Sequence, residues 1–401
     1  MATGAAVTLS DYDDIREALR DPALSRSFDK RSWDAGNIRA GIVSIIHGDE
    51  HRERRRIENT QFRRDRLFAY EKDLFPTVCD ALVAALPVGE PVDLLRVSGR
   101  MSMALSAKRT GIDHDGSVES LDRLVELVLI FSKGSAILDI RGDRSKVEEE
   151  VRSAYRDFDA EFFGASYDRR TLAAAGGVAS EDVLEVLIAA GFPRDLVLRE
   201  CAIFLQGGTT TSSHTVCSLF DLLWASADSA DSRLRLADDV AFAQRCVHET
   251  LRLRPTTPVI RRLAEEPTTV AGHRLEKGDT VLLDVRQAHR DPRLFGAEPE
   301  RFDPERTVDP AVPLWGLAFG GGSHQCIGRS VAGGFPVGGD PEDQTADPAA
   351  KLFGLIAVQV LTLARHGLVP DPHRSPRLDD ATDRGSRWAT FPARVTGSVV
   401  R

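Results

Sequence analysis

The feature that most constrains this chain is a helical apolar period that recurs along much of its length and is longest over residues 194–225. Shorter helical runs are read at 11–20, 50–66 (with a break near Asn59), 118–131, 147–163, 181–190 and 238–254, the last stopped by Pro255. Strand signals come late and are few: 268–270, 280–285 after the Gly278-Asp279 turn, and 393–400. The expectation is a mainly α chain with a small β region. Residues 333–351, rich in glycine, proline and acids, read as a loop. No repeat period stands out, and no clear linker divides the chain.

Composition matters here for what it excludes. Apolar residues make up 42% of the 401 positions, enough to bury a core, so disorder is not expected. The 52 basic against 61 acidic side chains leave a net charge of −9, which disfavours a nucleic-acid binder. Five cysteines without CxxC spacing argue against a disulfide framework and a structural zinc site. No apolar run approaches the roughly 18 residues that would span a bilayer. The first nine residues carry no export signal, so a soluble, cytoplasmic protein is expected. Only seven of the basic residues are lysine. That bias fits either codon usage or a preference for the planar, always-charged guanidinium in carboxylate pairing.

Two segments carry unusual chemistry. In the centre of the longest helical run, Gly207 and Gly208 are followed by Thr209, Thr210, Thr211, Ser212, Ser213 and His214. Two mid-helix glycines cost about 1 kcal/mol each relative to alanine, and with hydroxyl side chains beside them they favour a kink or a groove able to hold water. The second segment reads Phe319-Gly-Gly-Gly-Ser-His-Gln-Cys-Ile-Gly328. Its glycines let the backbone approach something flat and bulky, and its N–H groups can stabilise a Cys326 thiolate. Such a thiolate is a nucleophile or a metal ligand; a lone cysteine in a glycine-rich turn can also be inert. No orienting third group supports a nucleophile, and no Gly-Lys-Ser/Thr follows for phosphate binding.

The pattern Phe-x-x-Gly-x-x-x-Cys-x-Gly, filled by Phe319, Gly322, Cys326 and Gly328, resembles the haem-ligand loop of the cytochrome P450 family. The resemblance runs from about Leu9 to the C-terminus. It implies that Cys326 is the axial thiolate on haem b iron, with Phe319, Gly320 and Gly328 shaping the loop around the sulfur. It further implies a haem-propionate set of His51, Arg55, Arg262 and His324, and a buried structural network of Glu249, Arg252 and Arg301. On the distal helix it aligns Gln206-Gly-Gly-Thr-Thr210 with the family's oxygen-activating segment. Thr210 then supplies the expected alcohol, Thr209 stands where an acid is usual, and His214 is a substitute for that acid in moving protons. Substrate contacts fall at 33–46, 130–140, 204–211 and 256–260.

The implied activity is that of a soluble bacterial-type haem-thiolate monooxygenase of specialised metabolism, one domain over 1–401, oxidising a small organic substrate. Its electrons would come from a ferredoxin and ferredoxin reductase, without nucleic acid or membrane. Arginines 52, 54, 55, 56, 63, 64 and 66 form a local basic patch, either a solvated face or a dock for an acidic donor. Thr209 also leaves open peroxide-dependent or oxidative-coupling chemistry. A shortened start, lacking the family's usual N-terminal segment, leaves open a non-catalytic haem-binding protein. His47-Gly-Asp-Glu-His51 fits a zinc-peptidase pattern, but Gly48 and Asp49 read as a turn that leaves His47 outside the helix. The insertion at 333–351 is a further departure from the family.

Overall fold

A computed structural model describes residues 6–26, 40–135, 137, 143–175, 181–226, 229–335, 351–380 and 387–397. The helical periodicity becomes real helices throughout. Gly48–Glu58 passes through a short 3-10 turn at Asn59–Phe62 into Arg64–Ala69, which accounts for the break expected near Asn59. Arg144–Phe158 passes through a π turn, Asp159–Phe163, into Gly164–Ala175. Aspartates cap several N-termini, among them Asp93 ahead of Leu94–Thr110, Asp182 ahead of Val183–Ala189 and Asp239 ahead of Val240–Leu253.

The longest helix, Arg194–Ala225, has 32 residues and spans about 48 Å at 1.5 Å per residue. Its first half sends Val197, Cys201, Ala202 and Leu205 into an apolar cluster with Val118–Ser135 and Arg144–Phe158. Its second half sends Val216, Leu219, Phe220 and Leu223 into another, with Leu94–Thr110, Val240–Leu253 and Leu355–Arg365. Burying each such aliphatic or aromatic side chain contributes about 1.5–3 kcal/mol. The polar centre, from Gln206 to Thr215, falls between the two clusters. The helix therefore holds its glycines and hydroxyls at a seam rather than inside either core.

The small β region is richer than expected. A four-stranded sheet runs in the order Ala6–Leu9, Thr280–Asp284, Val259–Ala264, Leu24–Ser25, parallel at the first pairing and antiparallel at the others. A three-stranded antiparallel sheet joins Pro91–Asp93, Pro392–Val395 and Leu368–Pro370. Of the three strands expected, Thr268–Val270 and Thr280–Asp284 are present, and the third is the shorter Pro392–Val395, since 398–400 lie outside the described residues. Most of the rest have two to four residues, too few to show alternation in sequence. Ala6–Leu9 supplies a strand ahead of the helix Tyr12–Ala18, where none was expected. Of the insertion at 333–351, residues 336–350 lie outside the described residues. Its two ends meet: the Phe335 N–H donates to the Leu352 carbonyl at 3.0 Å, and Gln244 Nε2 donates to the carbonyls of Gly333, Phe335 and Leu352.

Candidate functional site

Cys326 is the one cysteine of five with an accessible side chain; Cys79, Cys201, Cys217 and Cys246 are buried. Its N–H donates to the Phe319 carbonyl at 2.9 Å, which closes the loop on itself. Gly320 and Gly322 have positive φ, and a Cβ at Gly322 would collide with the Leu19 carbonyl. Phe319 packs edge-on against Trp315, with ring centroids 4.9 Å apart. The sulfur reaches open space although it lies deep in the fold. Burial pushes its pKa up, while the Gly328 N–H and the charges of Arg55, Arg26 and Arg329 pull it down.

Around this thiol stands an excess of positive and hydrogen-bonding groups. The His51 and His324 rings lie 4.1 Å apart. Burial and neighbouring cations push His51 down to about 4, and His324 further still. Arg262, on Val259–Ala264, is 3% exposed and pushed down to about 9 by burial and then by Arg26. Neither Arg55 nor Arg262 has an ion pair among the described residues. Arg109, at the end of Leu94–Thr110, stacks over Phe62 at 4.2 Å with Nε unpartnered, and its charge reaches Cys326. Sequence reasoning missed Arg109, because Lys108-Arg109 looks like ordinary basic residues in a helix's last turn. Uncompensated buried cations are costly. A flat dianionic ligand beside a thiolate-competent cysteine fits this donor set.

His51 lies in the helix Gly48–Glu58, whereas His47 stands at its N-cap in extended conformation. The zinc-peptidase arrangement, with both histidines on one helix, is therefore not formed.

Beneath the site, Glu249 and Arg252 form a bidentate ion pair, both contacts 2.7 Å and both side chains fully buried. Arg252 Nη1 also donates to the carbonyls of His289 and Pro299 at 2.7 Å. The third member is not Arg301. That side chain is 61% exposed and pairs with Glu298 at 3.3 Å. Arg306 takes the place instead: its Nε meets Glu249 Oε1 at 3.2 Å, and its remaining nitrogens serve the carbonyls of Phe295, Glu298 and Arg301. Pro-Glu-Arg occurs twice in this stretch, at 299–301 and 304–306, and the arginine of the second copy is the buried one.

The long helix requires a similar shift of register. Thr210 is buried with Oγ1 unpartnered, and Thr209 is buried against Met103. The exposed hydroxyl is that of Thr211, which donates to the Gly207 carbonyl at 2.7 Å. Gly207 has no atom within 4 Å of where a Cβ would stand, whereas a Cβ at Gly208 would collide with Ser106. One glycine keeps the open face open, and the other lets Leu94–Thr110 pack close. His214 lies on the buried side, accepting the Trp388 N–H at Nδ1 (3.1 Å), with burial pushing it down to about 3. Its Nδ1 is thus engaged by Trp388, while the Thr211 hydroxyl is engaged within its own helix. Three consecutive threonines made the register ambiguous in sequence.

The architecture is that of a mainly helical protein with an accessible cysteine set among buried cations and imidazoles. The comparisons agree. The cytochrome P450 family model matches residues 178–333. A cyclooctat-9-en-7-ol 5-monooxygenase of Streptomyces melanosporofaciens is 27% identical over 79% of this chain and 74% of its own. A luteothin monooxygenase of Streptomyces thioluteus is 26% identical over 82% and 79%. Among solved structures, P450 EryK with erythromycin B has a TM-score of 0.72 at 21% identity, covering 98% of this chain and 92% of that one. P450BioI with a fatty-acid-ligated acyl carrier protein has 0.75 at 17%, covering 97% and 92%. The chain is similar to the cytochrome P450 family, and these likenesses support an oxidoreductase of the monooxygenase class with haem iron as cofactor.

Proposed function

We propose that this chain binds haem b through Cys326 and oxidises a small organic molecule with electrons from a ferredoxin-type partner. The observation that carries the reading is the one accessible cysteine beside Arg55 and Arg262, which have no ion pair among the described residues, and the closely spaced His51 and His324 rings. Haem iron, when bound, supplies the oxygen-activating chemistry; the remaining tasks fall to the protein. Cys326 Sγ would hold the iron, with the Gly328 N–H and nearby arginines favouring the thiolate. Arg55, Arg262, His51 and His324 would take the haem carboxylates, which neutralise the charge they otherwise keep buried. Thr211 Oγ1, anchored on the Gly207 carbonyl, would position protons on the open face of the long helix.

The likeness to two monooxygenases that share most of their length with this chain supports a hydroxylating role. Arg52, Arg56, Arg63 and Arg64 are exposed on the basic helix and the turn after it, and we assign them to an acidic electron donor. Arg54 is not among them, since it is buried against Glu200. No helix of the described residues is long and apolar enough to cross a membrane. We read the 401 residues as one domain, because the motifs from His51 to Gly328 converge on one cofactor. The test is the absorption of the reduced, carbon-monoxide-bound protein. A thiolate-type Soret band that disappears in Cys326→Ala is expected; well-folded protein that binds no haem overturns the reading.

A further inference from the structure

The helix Gly48–Glu58 faces two ways. His51 and Arg55 turn to the cysteine loop, while Arg54 and Glu58 turn to the long helix. There Glu58 and Glu200 are both fully buried. Glu200 Oε1 accepts the Val43 N–H at 2.7 Å and Arg54 Nη1 at 2.8 Å, while Oε2 has no partner. Neither oxygen of Glu58 has one. Arg54 is itself 4% exposed and lies over Phe192 at 4.1 Å. The charged groups facing the pair are Arg54 and Arg55 from one helix and Arg199 from the other, with Glu50 at 3.9 Å from Arg54. Of these charged groups only Arg54 is bonded to the pair, at Glu200.

Three buried carboxylate oxygens without a hydrogen-bond partner are not stable as two anions. Burial pushes both groups up, and the charge of Glu200 adds to it at Glu58, which rises well above its ordinary range; Arg54 opposes the rise at both. Burial of two carboxylates together leaves one proton on the pair. Glu58 also closes its helix, where the carbonyl ends disfavour a negative charge.

Position gives that proton a destination. Residues 7 and 11 beyond Glu200 on a helix are Gly207 and Thr211, each within about 20° of its face. Along this face Gly207 and Thr211 are exposed and Ile203 is half-buried, while residues 212–220 are all buried. From Glu200 to Asp221 the long helix carries no other acid. The separation from Glu200 to Thr211 is about 16 Å, or about five to six hydrogen-bond lengths.

We propose that Glu58 and Glu200 share one proton and serve as the store that delivers protons, through water along the open face, to Thr211. This rests on the monooxygenase reading, and it explains how the chain manages without a carboxylate at Thr210. The step is proton transfer alone: Glu58 Oε–H gives its proton to water toward Thr211, and solvent returns one to the carboxylate.

The experiment has two arms. The first needs neither haem nor substrate. An infrared pH titration of the isolated protein should show a protonated-carboxyl stretch that fades as pH rises and is absent in Glu58→Gln. Absence of that band in wild type overturns the proposal and leaves the haem-thiolate reading intact. The second arm uses haem-loaded protein, reduced ferredoxin and its reductase without substrate, following O2 + 2e− + 2H+ → H2O2. Glu58→Gln and Glu200→Gln should slow oxygen uptake at least ten-fold, enlarge the solvent deuterium effect and change the pH profile, with Glu58→Asp restoring most of the rate. Wild-type rates, isotope effects and pH profiles in both glutamine variants overturn it. A missing thiolate-type carbon-monoxide spectrum counts against the haem-thiolate reading and not against the infrared band.

Discussion

Two buried acid–guanidinium clusters in this molecule are made from the same residue types and differ in one respect. Around Glu249, two arginines meet one carboxylate, a backbone N–H from Asp303 adds a third donor, and backbone carbonyls take the spare guanidinium protons. Around Glu58 and Glu200, one arginine bonds one of the two carboxylates, and three oxygens have no partner. The first cluster has its charges answered in place and has nothing left to exchange. The second has a proton that can leave. A satisfied network is a clamp, whereas an unsatisfied one is a titrating site.

The largest effect should come from opening the clamp. Glu249→Ala leaves Arg252 and Arg306 buried without their carboxylate, at a cost of about 3–5 kcal/mol. Urea denaturation should show that loss, or the chain should fail to accumulate in soluble form; an unchanged midpoint would remove the distinction between the clusters. Arg306→Leu should cost somewhat less, about 2–3 kcal/mol, since Arg252 still neutralises Glu249. The same denaturation curve checks it.

That second prediction marks where the sequence stops being informative. The helical body was legible because its apolar period is long. The cysteine loop was legible because its glycines, aromatic and cysteine stand at fixed spacing. What could not be read was register within repeated residues. Arg301 and Arg306 both end a Pro-Glu-Arg tripeptide, and Thr209, Thr210 and Thr211 are chemically identical. Only packing separates them: one arginine turns inward to Glu249, and one hydroxyl turns to the open face. Glu58 and Glu200 lie 142 residues apart on separate helices, so no local pattern announced that the charge of one acts on the other. The short strands escaped for a simpler reason, having too few residues to alternate.

The unsatisfied cluster should reveal itself through pH. A carboxyl whose pKa is raised in the folded state binds more protons folded than unfolded, so stability falls as pH rises above the ordinary value of 4.5. Between pH 5 and 8 the wild type should lose about 1–3 kcal/mol from this pair. Glu58→Gln keeps the shape and removes the titration, so its stability should vary less over that range and exceed wild type at the alkaline end. Denaturation midpoints at several pH values decide this. A wild-type profile that rises with pH, or one that Glu58→Gln leaves unaltered, would mean that both clusters are clamps.

The smallest effect distinguishes the clusters by exclusion. Arg301 contributes its backbone carbonyl to the clamp, accepting from Arg306 Nη2 at 2.8 Å, while its side chain reaches solvent and Glu298. A carbonyl survives any side-chain substitution, so Arg301→Ala should leave the network intact. An exposed i,i+3 pair of this kind contributes about 0–0.5 kcal/mol, less at high salt. Arg301→Ala should therefore denature within about 0.5 kcal/mol of wild type, while Arg306→Leu in the same buffer does not. Equal losses for the two would place the Arg301 guanidinium inside the clamp after all, and the assignment of the buried arginine to the second Pro-Glu-Arg would fail.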